Sequence, residues 1–436
     1  MWPGDGAPGR RLRRPAGMAA AAALVLLAAA CSGSGHSTSQ VRPAASARPH
    51  ATAAVPVVKI TPANGARDAD PSAGITVTAT RGALKDVTVH TSGDPVSGRL
   101  SQGGHAWHSQ WALDVSRTYT VTATASGSGG GSVTTTSTFR TLAPGRTFTT
   151  EIIEGYHQTY GVGMPIILYF SQPITDKAAV ERALQVTTSR PVVGAWYWDY
   201  PCNMATTCAY FRPRDYWPAG TTVSFTGHLN GVQGAPGMYG THTLTQTFDI
   251  GPSVVAVGNT ATHRTQIYYN GKLRYDWPIS SGKPGDATPD GSYLTIEKEN
   301  PVLMTGPGYS LEVPWSVRFT FSGDYYHDAY WSVGEQGFEN VSHGCVNLSP
   351  ADAETYYNLA VPGDPVTIAG SPKAGTWDNG WTEWFLSWPQ YLKGSALHQA
   401  VEAGPGGSTF VAASSLPAST ATAPLQTAPA NNSAAR

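Results

Sequence analysis

The sequence predicts a mainly β protein: two small antiparallel sandwiches followed by a third, β-rich unit with one or two helices. The 436-residue chain contains 48 Gly, 13 Trp and 20 Tyr, a composition typical of strands and tight turns. Short runs of alternating apolar and polar residues recur between clusters of Gly, Pro, Asp and Ser. A chain of this length also exceeds what one hydrophobic core usually serves, so we expect several domains.

The first 31 residues have the layout of a secretory signal peptide. Four arginines between positions 10 and 14 precede a short apolar run, residues 19–30, which is too short to span a bilayer as a mature helix. The run ends in Leu27-Ala28-Ala29-Ala30-Cys31, which resembles a bacterial lipobox with its leucine one position further from the cysteine than usual. We expect an extracytoplasmic protein, lipidated on Cys31 and anchored to the outer face of the plasma membrane. An ordinary cleavage site with an incidental cysteine is the alternative.

Two sandwiches follow a linker. Residues 32–55 are rich in Ser, Ala, Pro and Thr and predict a disordered spacer. Residues 56–142 predict the first sandwich, because alternating runs such as Ile75–Ala79 and Tyr119–Ala123 lie at strand-and-turn spacing. Residues 144–251 repeat this pattern, with Pro165–Phe170 and Val223–Phe225 as strands.

The third unit covers residues 252–369. It opens with two strand-like runs joined by Asn270-Gly271, the strongest short signal for a β-hairpin. One helix is predicted at Pro350–Leu359, where Ser349 is a natural N-cap and Pro350 suits the first helical position.

Two segments complete the chain. Residues 370–400 form a Trp-rich extension, whose tryptophans we expect to pack against the second sandwich. Residues 401–436 are rich in Ala, Ser, Thr and Pro and predict a disordered tail.

The low charge disfavours one class of partner, and the cysteine content leaves one unpaired thiol. Charged residues make up 13% of the chain and the net charge is −1, which disfavours nucleic acid as a partner. Of the four cysteines, Cys31 belongs to the export signal, and Cys202 and Cys208 are close enough in sequence to form a disulfide in an oxidising compartment. Cys345 remains unpaired, and such a thiol is either a small buried hydrophobe or a reactive group.

The surroundings of Cys345 favour the reactive interpretation. The segment Ser342-His343-Gly344-Cys345-Val346-Asn347 begins fifteen residues after His327. A thiol attacks as the thiolate, so a neighbouring cationic imidazole is expected to lower its pKa. His343 and His327 both qualify on chemical grounds alone. A zinc site built from these three side chains is an alternative, but paired ligand spacing and a fourth ligand are missing.

The motif resembles the catalytic domain of L,D-transpeptidases. The resemblance rests on His327, the 17 residues that separate it from Cys345, and the Ser-His-Gly-Cys-x-Asn sequence. The two preceding modules look like the Ig-like modules of the actinobacterial form of this family. The resemblance implies that Cys345 is the nucleophile, that His327 is the general base, and that His343 and Ser342 shape the cysteine loop. It also implies that the backbone carbonyl of Asp328 orients the imidazole, although the family usually has a serine there.

Further site residues follow from the same resemblance. Gly344 permits a tight turn in which peptide N–H groups, including that of Cys345, face the developing oxyanion. Tyr309 stands where the family places a tyrosine on a loop over the pocket. Three positions, Ser322, Gly323 and Asn347, match substrate contacts of the family, and Trp331 looks like a wall of the pocket.

The resemblance implies a peptidoglycan L,D-transpeptidase that forms 3→3 cross-links between stem peptides without a cofactor or metal. It further implies inactivation by carbapenems through acylation of Cys345. Two alternatives remain at this stage: an L,D-carboxypeptidase, in which water replaces the acceptor amine, and a non-catalytic wall-binding lipoprotein.

Overall fold

The computed structural model describes residues 55–416 except Pro201, Asn203, Met204 and Pro307. The predicted signal peptide with Cys31, nearly all of the predicted linker, and residues 417–436 of the predicted tail lie outside the described residues. No helix in the described part of the chain is long and apolar enough to cross a membrane.

The first module is a sandwich of two sheets with strand orders β1-β2-β5-β4 and β3-β6-β7. Its core follows from strict alternation of buried and outward-facing side chains. In the strand formed by residues 118–126, Tyr119, Val121, Ala123 and Ala125 point inward, while the threonines face outward. Its strands are β1 (Val57–Thr61), β2 (Thr76–Thr80), β3 (Ala83–Thr91), β4 (Gly98–Leu100), β5 (Ala106–Ser109), β6 (Thr118–Ser126) and β7 (Ser132–Arg140), with a 3-10 turn at Pro71–Ala73.

The second module has its own larger core, into which Trp196, Phe211 and Trp217 are fully buried. The predicted disulfide between Cys202 and Cys208 is present. Its elements are β8 (Arg146–Phe148), β9 (Thr150–Ile152), β10 (Thr159–Tyr160), β11 (Ile166–Phe170), α1 (Lys177–Arg182), β12 (Leu184–Thr188), β13 (Val192–Asp199), β14 (Thr207–Pro213), β15 (Thr222–Gly227), β16 (Gln233–Ala235), β17 (Met238–Gly240) and β18 (Leu244–Ile250).

The third module contains the predicted hairpin and the predicted helix, and both predictions are confirmed. Asn270 and Gly271 join two paired strands with positive φ angles of 49° and 75°. Ser349 caps the helix by accepting from the N–H of Asp352. Its elements are β19 (Val254–Asn259), β20 (Arg264–Tyr269), β21 (Lys272–Pro278), β22 (Gly291–Leu294), β23 (Glu297–Glu299), β24 (Val302–Gly306), β25 (Tyr309–Val313), β26 (Ser316–Arg318), β27 (Tyr325–Asp328), β28 (Val346–Leu348), α2 (Pro350–Leu359) and β29 (Pro365–Ala369), with a 3-10 turn at Tyr330–Ser332.

The strands of the third module form two sheets and a separate hairpin. One sheet has the order β21-β20-β19-β29-β22, and the other has the order β23-β26-β27-β28. The hairpin consists of β24 and β25. The fold-class prediction of a mainly β chain with a β-rich last domain is therefore confirmed.

The prediction of a disordered tail from residue 401 is wrong for residues 401–416. This part of the chain forms β30 (Gln399–Gly404) and β31 (Gly407–Ala412), preceded by α3 (Trp388–Lys393), and 3-10 turns lie at Glu383–Phe385 and Ala413–Ser415. Strand β30 pairs with β13, which extends the second module's sheet to the order β31-β30-β13-β14-β11-β9. The physical reason is burial, since Val401 and Ala403 join the core of the second module.

The Trp-rich extension packs against the second module, as predicted. The guanidinium of Arg212, only 2% exposed, lies 4.2 Å from the ring of Trp384 and 4.3 Å from that of Tyr391. The indole N–H of Trp384 donates to the carbonyl of Gly163 at 2.8 Å. Trp377 contacts the ring of Tyr197 with a centroid distance of 5.3 Å.

Candidate active site

The sheet of the third module brings the motif residues together. Strands β27 and β28 are parallel neighbours, and His327 lies opposite Asn347 in their register. Cys345 stands two residues before Asn347, so its side chain is expected on the same face. Cys345, His327 and Asn347 line one cavity of about 400 Å³. Four other predicted residues also line it: Tyr309, Trp331, Ser342 and His343.

His327 is held in one orientation by its own strand. Its Nδ1 atom lies 2.7 Å from the backbone carbonyl of Asp328, to which an Nδ1–H donates. This assignment leaves Nε2 as the basic nitrogen. The imidazole is buried, and burial lowers the pKa of His327 to about 4. The carboxyl group of Asp328 is buried but does not line the cavity, so only its carbonyl serves the site.

Cys345 lies half-buried in the cavity wall. Its Sγ–H points to the carbonyl of Gly323 at 3.7 Å. Burial, together with the nearby carboxylate of Asp324, raises the pKa of Cys345 to about 12. Within the described residues no hydrogen bond joins Sγ to His327. Burial favours the neutral form of both groups, so these pKa shifts do not support the expected pair of a thiolate and a cationic imidazole.

The cysteine loop is shaped by Ser342, as the resemblance implied. The hydroxyl of Ser342 donates to the carbonyl of Cys345 at 2.6 Å and accepts from the N–H of Gly344 at 3.1 Å. Thr288 donates to the carbonyl of Gly344 at 2.5 Å. Gly344 has a φ of +136°, and a side chain there would collide with the carboxylate of Asp324. Only glycine fits this position without strain.

The hydrogen bonds of the cysteine loop show which peptide N–H groups remain available to a developing oxyanion. The N–H of Gly344 is already bound to Ser342. The N–H groups of His343 and Cys345 donate to no acceptor in the described part of the chain. These two N–H groups are the free donors beside the thiol.

His343 lies on the exposed side of the loop rather than between the thiol and the base. Its Nε2 accepts from the ammonium of Lys283 at 2.8 Å, and its ring centroid is 5.2 Å from that of Tyr309. Lys283 also pairs with Asp286 at 3.5 Å. These contacts fit the predicted role of His343 in supporting the loop. Tyr309 itself is 39% exposed and begins β25, so the hairpin of β24 and β25 forms one wall of the cavity.

The predicted contacts at Ser322 and Gly323 lie beside the cavity rather than in its wall. The hydroxyl of Ser322 donates to Asp324 at 3.0 Å and accepts from the side-chain amide of Asn379 at 2.9 Å. The N–H of Ser322 donates to Asn379 at 2.7 Å. The Trp-rich extension therefore braces the turn whose Gly323 carbonyl contacts the thiol. A role of Ser322 and Gly323 in binding substrate stays a prediction.

Asn347 and Trp331 are linked through one short turn. The side-chain amide of Asn347, 2% exposed, donates to the hydroxyl of Ser332 at 2.8 Å. Trp331 occupies the same 3-10 turn, and its ring centroid is 5.9 Å from that of His327. Asn347 thus fixes the turn that carries one wall of the cavity.

Several site residues were missed by sequence reasoning. Their positions in the cavity wall or beside the residues around Cys345 depend on the fold and not on a local sequence pattern. These residues are Lys283, Thr288, Asp324, Glu335 and Asn379. Asn379 lies in a different segment of the chain, and no local pattern marks it. Among the described residues no group of three or more His, Cys, Asp or Glu side chains is arranged to hold a metal ion.

Comparison with known proteins identifies the modules. A model of the bacterial Ig domain matches residues 66–233, and a model of the L,D-transpeptidase catalytic domain matches residues 253–368. L,D-transpeptidase 5 of Mycobacterium tuberculosis is 34% identical over 351 residues, which cover 78% of this chain and 77% of that protein. L,D-transpeptidase 2 of Mycobacterium tuberculosis is 32% identical over 386 residues, which cover 85% of this chain and 93% of that protein.

Among solved structures, L,D-transpeptidase 3 from Mycobacterium tuberculosis in complex with a faropenem-derived adduct is 30% identical, with a TM-score of 0.41. The match covers 50% of this chain and 97% of that one. The two sequence relatives span most of both chains. This chain belongs to the L,D-transpeptidase family.

Proposed function

We propose that this chain cross-links peptidoglycan through a thioester on Cys345. The donor is a stem tetrapeptide. As Sγ attacks the carbonyl carbon of its third residue, the thiol proton passes to Nε2 of His327. The negative charge on the carbonyl oxygen is stabilised by the N–H groups of His343 and Cys345. When the intermediate collapses, the C–N bond breaks and His327 returns the proton to the leaving D-alanine amine.

The thioester is then taken by the side-chain amine of a neighbouring stem. The amine nitrogen attacks the thioester carbonyl, a proton moves from nitrogen to His327, and the C–S bond breaks. His327 returns that proton to the sulfur, which regenerates the thiol and releases a 3→3 cross-link. Two acyl transfers with lower barriers replace one difficult step, and no energy-rich cofactor is consumed.

One observation carries this proposal: an oriented neutral imidazole and an unpaired thiol line the same cavity. Incubation of the purified chain with a disaccharide-tetrapeptide tests it by product mass. Loss of D-alanine with dimer formation supports a transferase, and loss without dimers supports the carboxypeptidase. No change, or equal turnover by Cys345→Ala, contradicts catalysis by this cysteine.

Carbapenems are proposed as covalent inhibitors of the same site. The strained lactam carbonyl would take the place of the stem-peptide carbonyl, so that Sγ is acylated and the ring opens. Intact-mass measurement of the wild-type chain should give one adduct, and Cys345→Ala should give none. An adduct that survives the substitution would place the reaction elsewhere.

We propose that the protein works outside the plasma membrane, held by a lipid on Cys31. The export signal and the resemblance to a lipobox support this placement. Fractionation of cells should find the wild-type chain in the membrane, and Cys31→Ala should shift it to the soluble extracytoplasmic fraction. Equal membrane association of both chains would contradict lipid anchoring at this residue.

A further inference from the structure

One carboxylate in the catalytic cavity has no structural task. Glu335 lines the cavity together with His327 and Cys345, and it is the one acidic side chain among the lining residues of the described chain. Its side chain is half-buried and has no hydrogen bond or ion pair with any described residue. These observations do not indicate a fold-stabilising role for the side chain of Glu335.

The backbone at Glu335 is nevertheless fixed. Its N–H donates to the carbonyl of Ser332 at 3.2 Å, and its carbonyl accepts from the N–H groups of Phe338 and Glu339, both at 2.9 Å. The turn therefore holds this position beside the 3-10 turn of Trp331. Trp331 is 45% exposed and lines the same cavity, and an indole face attracts cations.

Two charged side chains lie in or near the cavity. Beside His343 stands the ammonium of Lys283, which is paired with Asp286. Glu335 lines the cavity, and its carboxylate pairs with no cation among the described residues. An unpaired carboxylate that lines the same cavity as an exposed aromatic ring is suited to a ligand that carries an ammonium group.

We propose that Glu335 binds the ammonium of the acceptor stem and thereby selects amines over water as the group that receives the acyl chain. The inference rests on the proposed function, because it concerns the second half of that reaction. Glu335 raises the local concentration of the protonated amine beside the thioester. The ammonium loses one proton to solvent to become a nucleophile, and the second proton passes to His327 during attack.

The test compares Glu335→Gln with Glu339→Gln in the full chain. Glu339 lies four residues further on, is exposed and does not line the cavity, so it controls for removal of a charge from the same loop. A disaccharide-tetrapeptide serves as donor and a disaccharide-tripeptide with a free side-chain amine as acceptor. Mass spectrometry measures dimers formed against donor hydrolysed, and carbapenem acylation reports whether Cys345 and His327 remain intact.

Glu335→Gln should raise KM for the acceptor amine roughly fivefold. This is the largest effect expected from the loss of one ion pair that is partly open to water. The ratio of dimer to hydrolysed donor should fall, while carbapenem acylation stays at the wild-type rate. Transfer to hydroxylamine, which is uncharged at neutral pH, should not change. Added salt should weaken amine transfer by the wild type more than by Glu335→Gln.

Three results would overturn the inference in distinguishable ways. If the wild type forms dimers and Glu335→Gln behaves like Glu339→Gln, the acceptor role of Glu335 is wrong and the proposed function stands. If the wild type transfers to no amine under any condition, the proposed transferase fails and the acceptor role fails with it. Equal losses with the charged amine and with hydroxylamine would indicate general damage to the site and also contradict the inference.

Discussion

The proposed nucleophile and the proposed base both lie in surroundings that oppose ionisation. Burial raises the pKa of Cys345 to about 12 and lowers the pKa of His327 to about 4. An ion pair of thiolate and imidazolium is therefore a minor state before substrate binds. In the proposed reaction, the proton leaves sulfur as the new C–S bond forms, and a neutral His327 receives it.

The first prediction concerns the pH dependence of acylation. A lowered pKa keeps the imidazole neutral down to about pH 4, so acylation of Cys345 by a carbapenem should change little above pH 5 and fall as His327 becomes protonated near pH 4. Intact-mass kinetics across this range measure it. Alkylation by iodoacetamide is the control, because this reagent reacts with the free thiolate. It should react with Cys345 far more slowly at pH 7 than with a free cysteine of pKa about 8.5. Fast alkylation at pH 7 would indicate a preformed ion pair.

A second prediction concerns Gly344. Gly344→Ala places a side chain on a backbone with positive φ and also brings its Cβ into collision with the carboxylate of Asp324. Gly285→Ala is the control: its φ of +97° is also positive, but its Cβ would meet no atom nearby. We expect Gly344→Ala to lower the free energy of unfolding by about 1–3 kcal/mol more than Gly285→Ala, and to slow acylation. Urea unfolding and carbapenem kinetics measure the two effects. Equal costs for both variants would refute the close approach to Asp324.

The sequence marks the proposed reacting residues more clearly than it marks their surroundings. Cys345, His327 and the loop residues are marked by a contiguous motif and a spacing, so they could be found without a structure. Glu335, Asn379 and Asp324 carry no such signal, because their positions depend on pairings between distant segments. The neutral state of the site was also hidden, since burial is a property of the folded cavity.

At the scale of elements, local signals were predictable and long-range pairing was not. The Asn270-Gly271 hairpin and the capped helix α2 are determined within about a dozen residues, and both are present. Most of β30 and all of β31 fall in the segment predicted as a disordered tail, because residues 401–436 as a whole are rich in Ala, Ser, Thr and Pro. Their stability comes from pairing of β30 with β13, about two hundred residues earlier in the chain.

A third prediction tests how the extension is attached. Trp384 is 8% exposed, stacks on Arg212 and donates to the carbonyl of Gly163. Trp384→Ala should therefore lower the free energy of unfolding by about 3–5 kcal/mol, since it opens a cavity and uncovers a buried guanidinium. Trp388→Ala is the matched control, because that ring is half-buried and 5.9 Å from Arg212. Urea unfolding compares them, and equal losses would contradict a special role for Trp384.

At the scale of the whole molecule, the modules are connected to different degrees. The extension braces the catalytic turn through Asn379 and Ser322, and it joins the second module's sheet through β30. The contact between the first two modules is more local. It includes a stack of Trp111 on His228, with centroids 3.9 Å apart, and polar contacts such as Ser72 with Gly231 at 2.8 Å. The first module also has a separate core.

The last prediction follows from the local contact and the separate core of the first module. A chain without residues 56–142 should keep its catalytic module and its brace, so carbapenem acylation of Cys345 should match that of the full chain. In cells whose own copy is deleted, the shortened chain should form fewer 3→3 cross-links, because the site would lie closer to the membrane than its substrate. Muropeptide analysis of isolated walls measures this. Replacing residues 56–142 with an unrelated sandwich of similar length should restore cross-linking if distance alone matters. Undiminished cross-linking by the shortened chain would show that the first module is not a spacer.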